Sequence, residues 1–176
     1  MNGITLIGMA GAGKSAVGKI MAELLGWQFW DLDKIILERQ GISHHEYMNR
    51  NGEQALSRLE EQYALSLDLQ DSIFAPPGSM VYSDAAMRKI KTDSAVVYLR
   101  VSPETIAKRL GDRLYKNGII GLEEKGLPKL MAERAVLYEK YADYTFDSAE
   151  QTKQEMAEKV VAGLRAAGVS LTSLKV

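Results

Sequence analysis

Residues 8–15 read Gly-Met-Ala-Gly-Ala-Gly-Lys-Ser, the pattern G-x-x-x-x-G-K-S. This octet restricts the fold more than any other stretch, because such a loop works only between a buried strand and the start of a helix. Both neighbours have the right character. Residues 3–7 are an apolar run of strand type, and residues 16–25 are amphipathic at helical spacing. Gly8, Gly11 and Gly13 permit backbone conformations closed to residues with a Cβ. The N–H groups from Gly11, Ala12 and Gly13 through Lys14, Ser15 and Ala16 then turn inward around phosphate oxygens, at the positive end of the helix dipole. Lys14 reaches the terminal phosphates, and the Ser15 hydroxyl is placed to ligate Mg²⁺.

The rest of the chain alternates. Residues 28–31 read as a second strand ending in Asp31, with Asp33 two residues on and so on the same side. Ligands of open α/β sheets sit at that end of the strands. One carboxylate is placed to hold a Mg²⁺-bound water and the other to accept a hydroxyl proton. A competing role for Asp33 is to cap a helix over 34–40. Ser43 and Glu46 form a capping box. Between them, His44 and His45 read as a solvated helix end, since neighbours on a helix point about 100° apart. A longer helix over 53–69 carries Arg58, Glu60 and Glu61, read as a solvated face.

Residues 72–75 form a short buried strand, and Pro76-Pro77-Gly78-Ser79 an abrupt turn. Ser83 caps a helix over 84–91, residues 94–99 are strand, and a helix opens near Pro103. The glycine-punctuated segment 112–126, with Arg109 and Arg113 beside or within it, is expected to be a functional loop. Residues 127–141 return to helix, with Arg134 and Tyr138 one turn apart. Residues 144–146 are a last strand, Ser148 and Gln151 a second capping box, and 170–176 a loose tail. This alternation implies an α/β fold, a parallel sheet covered by helices on both faces.

The 176 residues suit a single domain over 1–176, and 46% apolar content is enough for its core. A net charge of −1 gives no field favouring nucleic acid or an anionic membrane. No apolar run is long enough to span a bilayer. No basic region precedes the first apolar run, so it reads as strand rather than signal peptide. The absence of cysteine excludes a disulfide, a thiolate nucleophile and a zinc–thiolate site, and fits a cytoplasmic location. A monomer is expected. Residues 11–16 also match G-x-G-x-x-A, with Asp31 and Asp33 about 20 residues on, as in a dinucleotide site. Against that, the turn from Gly8 is one step too long and the Lys14-Ser15 pair has no use there.

From about residue 4 to 147 the sequence resembles shikimate kinase, a small P-loop kinase. The resemblance rests on GMAGAGKSAVGK (8–19), FWDLD (29–33), GIS (41–43), GE (52–53) and ERAVLYEKYAD (133–143). It implies a three-layer P-loop NTPase fold with a five-stranded parallel sheet, an acceptor-binding helical segment over about 33–70 and a mobile lid over about 112–126. It also implies transfer of the ATP γ-phosphoryl, with Mg²⁺, to a hydroxyl of a small carboxylate acceptor. Carried over, it implies that Lys14 stabilises the transferring phosphoryl, Ser15 ligates the metal and Asp31 supports it through water. Asp33 would bind the acceptor and orient or deprotonate its hydroxyl, Gly78 would border the acceptor, and Arg134 would grip its carboxylate. Arg109 and Arg113 would serve the nucleotide and the lid, Arg113 near the transferring group.

The departures cluster on the acceptor side. The family's Phe-Arg pair is Leu56-Ser57 here, and Arg58, the nearest cation, is rotated about 100° further around the helix. Three family glycines are Pro77-Gly78-Ser79, and the lid Arg-Pro-Leu-Leu is Asn117-Gly118-Ile119-Ile120. Loss of one bidentate arginine weakens carboxylate binding by roughly 2–3 kcal/mol unless another cation compensates. Three functions follow: a shikimate kinase with an unusual acceptor site, a related kinase for another small hydroxylated metabolite, or a nucleotide-binding protein without transfer.

Overall fold

The computed structural model describes residues 3–116, 118–148 and 151–171. Asn117 and most of the expected tail, 172–176, lie outside them. The described residues run β1 (Gly3–Ile7), α1 (Lys14–Leu25), β2 (Gln28–Asp31), α2 (Leu32–Gln40), α3 (His44–Asn51), α4 (Glu53–Ser66) and β3 (Ser72–Ala75). They continue with α5 (Asp84–Asp93), β4 (Ser94–Arg100), α6 (Pro103–Leu110), α7 (Leu122–Lys125), α8 (Leu127–Tyr141), β5 (Tyr144–Asp147) and α9 (Lys153–Ala166). Among them the strands form one five-stranded parallel sheet in the order β2-β3-β1-β4-β5.

The alternation of side chains along each strand builds two cores. Ile4 and Leu6 of β1, Ile73 of β3 and Val97 and Leu99 of β4 pack with Val17 and Met21 of α1 and Val160 and Leu164 of α9. The intervening Ile7, Phe74, Val96 and Tyr98 face the other way, against Ile36 of α2, Ala64 of α4, Met87 and Ile90 of α5 and Tyr138 of α8. A sheet buried on both faces needs apolar residues at successive positions, which is why β1 and β4 read as near-continuous apolar runs.

Three local expectations change. Helix α2 begins at Leu32, so its cap is Asp31, which accepts from Lys34 N at 3.4 Å. Asp33 therefore lies in the first turn instead of capping. The last helix is capped by Thr152 in a reciprocal box with Glu155, not by Ser148 and Gln151. Ser148 is buried behind the glycine-rich loop, its hydroxyl donating to Ala12 O at 3.3 Å. Segment 112–126 is not irregular throughout: a 3-10 turn covers Gly111–Lys116 and α7 follows. Its Ile119 and Leu122 are buried in the first core, which fixes the middle of the segment.

Candidate functional site

The loop after β1 has the geometry its sequence requires. Gly11 and Gly13 have φ of +81° and +101°, Gly13 being the residue before α1. Ala12 N donates to Met9 O at 3.0 Å and closes the turn. The Lys14 ammonium donates to Gly8 O at 2.9 Å and Met9 O at 3.1 Å. Burial lowers its pKa to about 8, against the opposing charges of Asp33 and Asp31. A cleft of about 780 Å³ opens over this loop, lined by Lys14, Ser15, Asp31, Asp33, Arg109 and Arg113 among others.

Arg109 reaches back from α6 to Gly11 O at 3.3 Å, Ala12 O at 3.4 Å and Ser148 O at 2.8 Å, bracing the loop from behind. Arg113 is exposed on the rim and donates to Arg109 O at 3.1 Å. Lys153, at the start of α9, lines the same cleft close to Gly13: a Cβ on Gly13 would come 3.0 Å from its Nζ. Burial and the Arg109 charge lower its pKa. No sequence pattern singles Lys153 out: the motif around it is a helix cap, which says nothing of the cleft.

A second, smaller cavity of about 60 Å³ adjoins the first and shares Ala10, Lys14, Asp33 and His44 with it. Glu60, Gly78, Ser79, Gly118 and Arg134 complete much of its wall. Arg134 is 1% exposed. It donates to Ile120 O at 2.8 Å and lies 5.3 Å over the Tyr82 ring. Its Nε is buried without a hydrogen-bond partner among the described residues. The backbone also passes close to it at Gly78: a Cβ there would meet Arg134 Nη1 and Tyr138 OH at 3.0 Å. Tyr138 OH donates to Gly78 O at 2.8 Å.

Two residues read as solvated are inside this wall. His44 places Nδ1 3.2 Å from Asp33 Oδ1 and Nε2 3.8 Å from Glu60 Oε1. Glu60 is 3% exposed and accepts from the Ser79 hydroxyl at 2.7 Å. The signal for Glu60 was present: Leu56, Glu60 and Ala64 recur at four-residue spacing and form the buried stripe of α4. On that helix Arg58 points the other way. It is exposed and lines neither cavity, so the structure does not bring it into the site.

The charges interlock. The side chain of Asp33 is 59% exposed, yet the protein packed around the cleft displaces enough solvent to push its carboxyl up; the hydrogen bond from His44 and the charges of His44 and Lys14 prevail and hold it below the ordinary aspartate range. Burial pushes the His44 imidazole down, and its bond to Asp33 with the charges of Asp33, Glu60 and Asp31 raises it above the usual value. Burial raises Glu60 to about 7, against the Ser79 hydrogen bond and the His44 charge. Between the ordinary carboxylate pKa and that value, the folded chain holds a proton that the unfolded chain has released. Stability therefore falls as pH rises through that window and levels off above it. Glu60→Gln keeps an acceptor for Ser79 and removes the buried charge. It is expected to flatten this slope and raise stability at pH 8 by up to about 3 kcal/mol. Urea unfolding at pH 5 and pH 8 measures it, and an unchanged slope would show that Glu60 titrates normally.

Comparisons with known proteins agree with this geometry. A family model described as shikimate kinase matches residues 10–165. A shikimate kinase of Thermodesulfovibrio yellowstonii is 33% identical over 164 residues, which cover 92% of this chain and 94% of that protein. One from Geobacter sulfurreducens is 34% identical, covering 92% and 90%. Among solved structures, the shikimate kinase from Acinetobacter baumannii in complex with shikimate superposes with a TM-score of 0.87. It is 26% identical, over 97% of this chain and 96% of that one.

Proposed function

The chain belongs to the shikimate kinase family, and on that premise we propose how its residues transfer the γ-phosphoryl of ATP to a hydroxyl of shikimate. One observation carries the reading: the phosphate cleft and the smaller cavity meet at Lys14 and Asp33. The donor and acceptor of a phosphoryl group must meet in line, and these two side chains stand at that junction.

In this reading the N–H groups of 11–16 hold the β- and γ-phosphates, and Lys14 takes up charge developing on the transferring group. Ser15 and Asp31 both line the cleft and offer hard oxygen donors, a set that suits Mg²⁺. Among the described residues no cluster of three or more acidic or histidine ligands could cage a metal. Magnesium keeps several waters and phosphate oxygens, so that pair is sufficient. When bound, the ion neutralises phosphate charge. Asp33 accepts the hydrogen bond of the attacking hydroxyl and then its proton. Arg134 pairs with the acceptor's carboxylate, while Arg109 and Arg113 shape the nucleotide side and segment 112–126 excludes water. The same proposal takes 1–176 as one domain, with the acceptor bound against 33–70, working as a cytoplasmic monomer. Among the described residues no helix is long and apolar enough to cross a membrane.

A second reading, a kinase for a less anionic hydroxylated metabolite, is favoured by the outward position of Arg58 and by the two carboxylates, Asp33 and Glu60, facing the acceptor. ADP release measured with shikimate, quinate and neutral polyols separates the two. Shikimate-dependent release is expected, and Asp33→Asn should lower kcat by about 10²-fold. Release that needs no acceptor, or that prefers a neutral one, would overturn shikimate as the substrate.

A further inference from the structure

Asp33 is poorly held for a residue that must aim a hydroxyl. Its side chain, in an open cleft, is 59% exposed. A carboxylate with that freedom samples several rotamers, and a misplacement of about 1 Å at a reacting centre can cost about 10²-fold in rate. What grips it is His44. A carboxylate only accepts, so Nδ1 carries the proton of the 3.2 Å contact. The His44 side chain is only 10% exposed, and its Nε2, facing Glu60, has no hydrogen-bond partner among the described residues.

His44 is itself fixed from two sides. Ser43 and Glu46 close a reciprocal capping box that sets the first turn of α3. From above, Gly118 lies against the same turn with φ of +61°. A Cβ at 118 would fall 2.8 Å from His45 N, 2.9 Å from His45 Cα and 3.0 Å from the His44 carbonyl carbon. These are backbone atoms that cannot swing aside, so only glycine seats there. The residues that follow are anchored as well. Ile120 O accepts from Arg134, and Gly121 N donates to Glu53 Oε1 at 2.9 Å. Segment 118–121 thus rests on α3, α4 and α8 together.

We propose that His44 is a positioning residue for Asp33, and that segment 118–121 acts on phosphoryl transfer through it, seating Gly118 on the start of α3 and so aiming the acceptor carboxylate. This rests on the reaction proposed above, in which Asp33 orients the attacking hydroxyl. A group that acts only on alignment lowers kcat and kcat/KM together and leaves KM alone.

The test uses the full chain with Mg²⁺-ATP and shikimate. His44→Ala is expected to lower kcat by about 10- to 100-fold with both KM values within about threefold. His44→Asn places an amide N–H near the position of Nδ1 and should recover kcat to within about threefold of wild type. Gly118→Ala should lower kcat in the wild type by about 5- to 10-fold and add little in the His44→Ala background. Equal impairment of the Asn and Ala variants, or additive effects of positions 44 and 118, would overturn the proposal. A second readout needs neither turnover nor a folded His44→Ala protein. ¹⁵N spectra of the imidazole should show the proton on Nδ1 in the wild type and lose that preference in Asp33→Ala. An Nδ1 indifferent to Asp33 would overturn the positioning role whatever the reaction. Absence of shikimate turnover by the wild type, with the Nδ1 signature intact, would overturn the reaction instead.

Discussion

Lys14→Ala is expected to reduce acceptor phosphorylation by about 10²-fold or more. In the proposed reaction the buried ammonium would stand where charge builds on the transferring group, and there a fixed cation stabilises the transition state more than the ground state. ATP binding should weaken less than turnover, because the backbone N–H groups around it remain. The substitution also removes hydrogen bonds to Gly8 O and Met9 O that shape the loop. Lys14→Met, which keeps the apolar stem, separates charge from packing, and both variants should fall alike. Calorimetric titration of ATP beside steady-state kinetics gives the split. Near-normal turnover in either variant would show that this loop does not hold the transferring phosphate. Burial lowers Lys14 to about 8, so the empty enzyme gives up this charge as pH rises through that value. ATP affinity should weaken over the same range and track the proton taken up on binding.

The second large effect belongs to Arg134. Its fork is the one guanidinium in the wall of the smaller cavity among the described residues. If it pairs with the acceptor's carboxylate, Arg134→Ala should raise the shikimate KM by about 30- to 100-fold, equivalent to roughly 2–3 kcal/mol for a charge-assisted pair. The KM for ATP should hardly change. Arg134 also ties Ile120 O and covers Tyr82, so some stability is lost with it. Arg134→Lys keeps the charge without the bidentate fork and should fall between the two. Ser57→Arg is the companion measurement. Ser57 lies one turn from Glu53 and Glu60 on α4, and a cation there should lower the same KM. A shikimate KM that ignores both positions would assign the pocket to a less anionic acceptor.

The phosphate half of the site was legible because its chemistry is written in consecutive residues. Backbone N–H groups of 11–16, Lys14 and Ser15 belong to one turn, and one turn can be read as a pattern. The alternation of strands and helices was equally local, and with it came the sheet. The smaller cavity, the proposed acceptor half, is assembled from α2, α3, α4, the segment after β3, and α8, which meet only in three dimensions. In sequence His44 reads as a solvated helix end, because nothing in Ser-His-His-Glu says which ring faces Asp33. Glu60 was taken for surface by its neighbours Arg58 and Glu61, although its spacing from Leu56 and Ala64 placed it on the buried stripe. Arg58 failed for the converse reason: a cation one residue out of step points into solvent. The capping role moved from Asp33 to Asp31 because α2 starts two residues earlier than its polar pattern indicated.

The strand order carries a consequence for synthesis. β1 leaves the ribosome ahead of the other four strands of its sheet, and all five of its residues end up buried. Yet its sheet neighbours are β3 and β4, so Ile4 waits for Ile73 on one side and Ala95 on the other. At about 5–20 residues per second, roughly 5–20 s pass before both partners exist. Throughout that interval the glycine-rich loop hangs from an apolar strand that lacks at least one of its two partners, without the fixed shape that would hold a phosphate. Nascent chains stalled before Arg100 should neither bind ATP nor resist protease, and a chaperone has its best opportunity there. The glycine-rich loop is made well before the strands that give it a fixed shape.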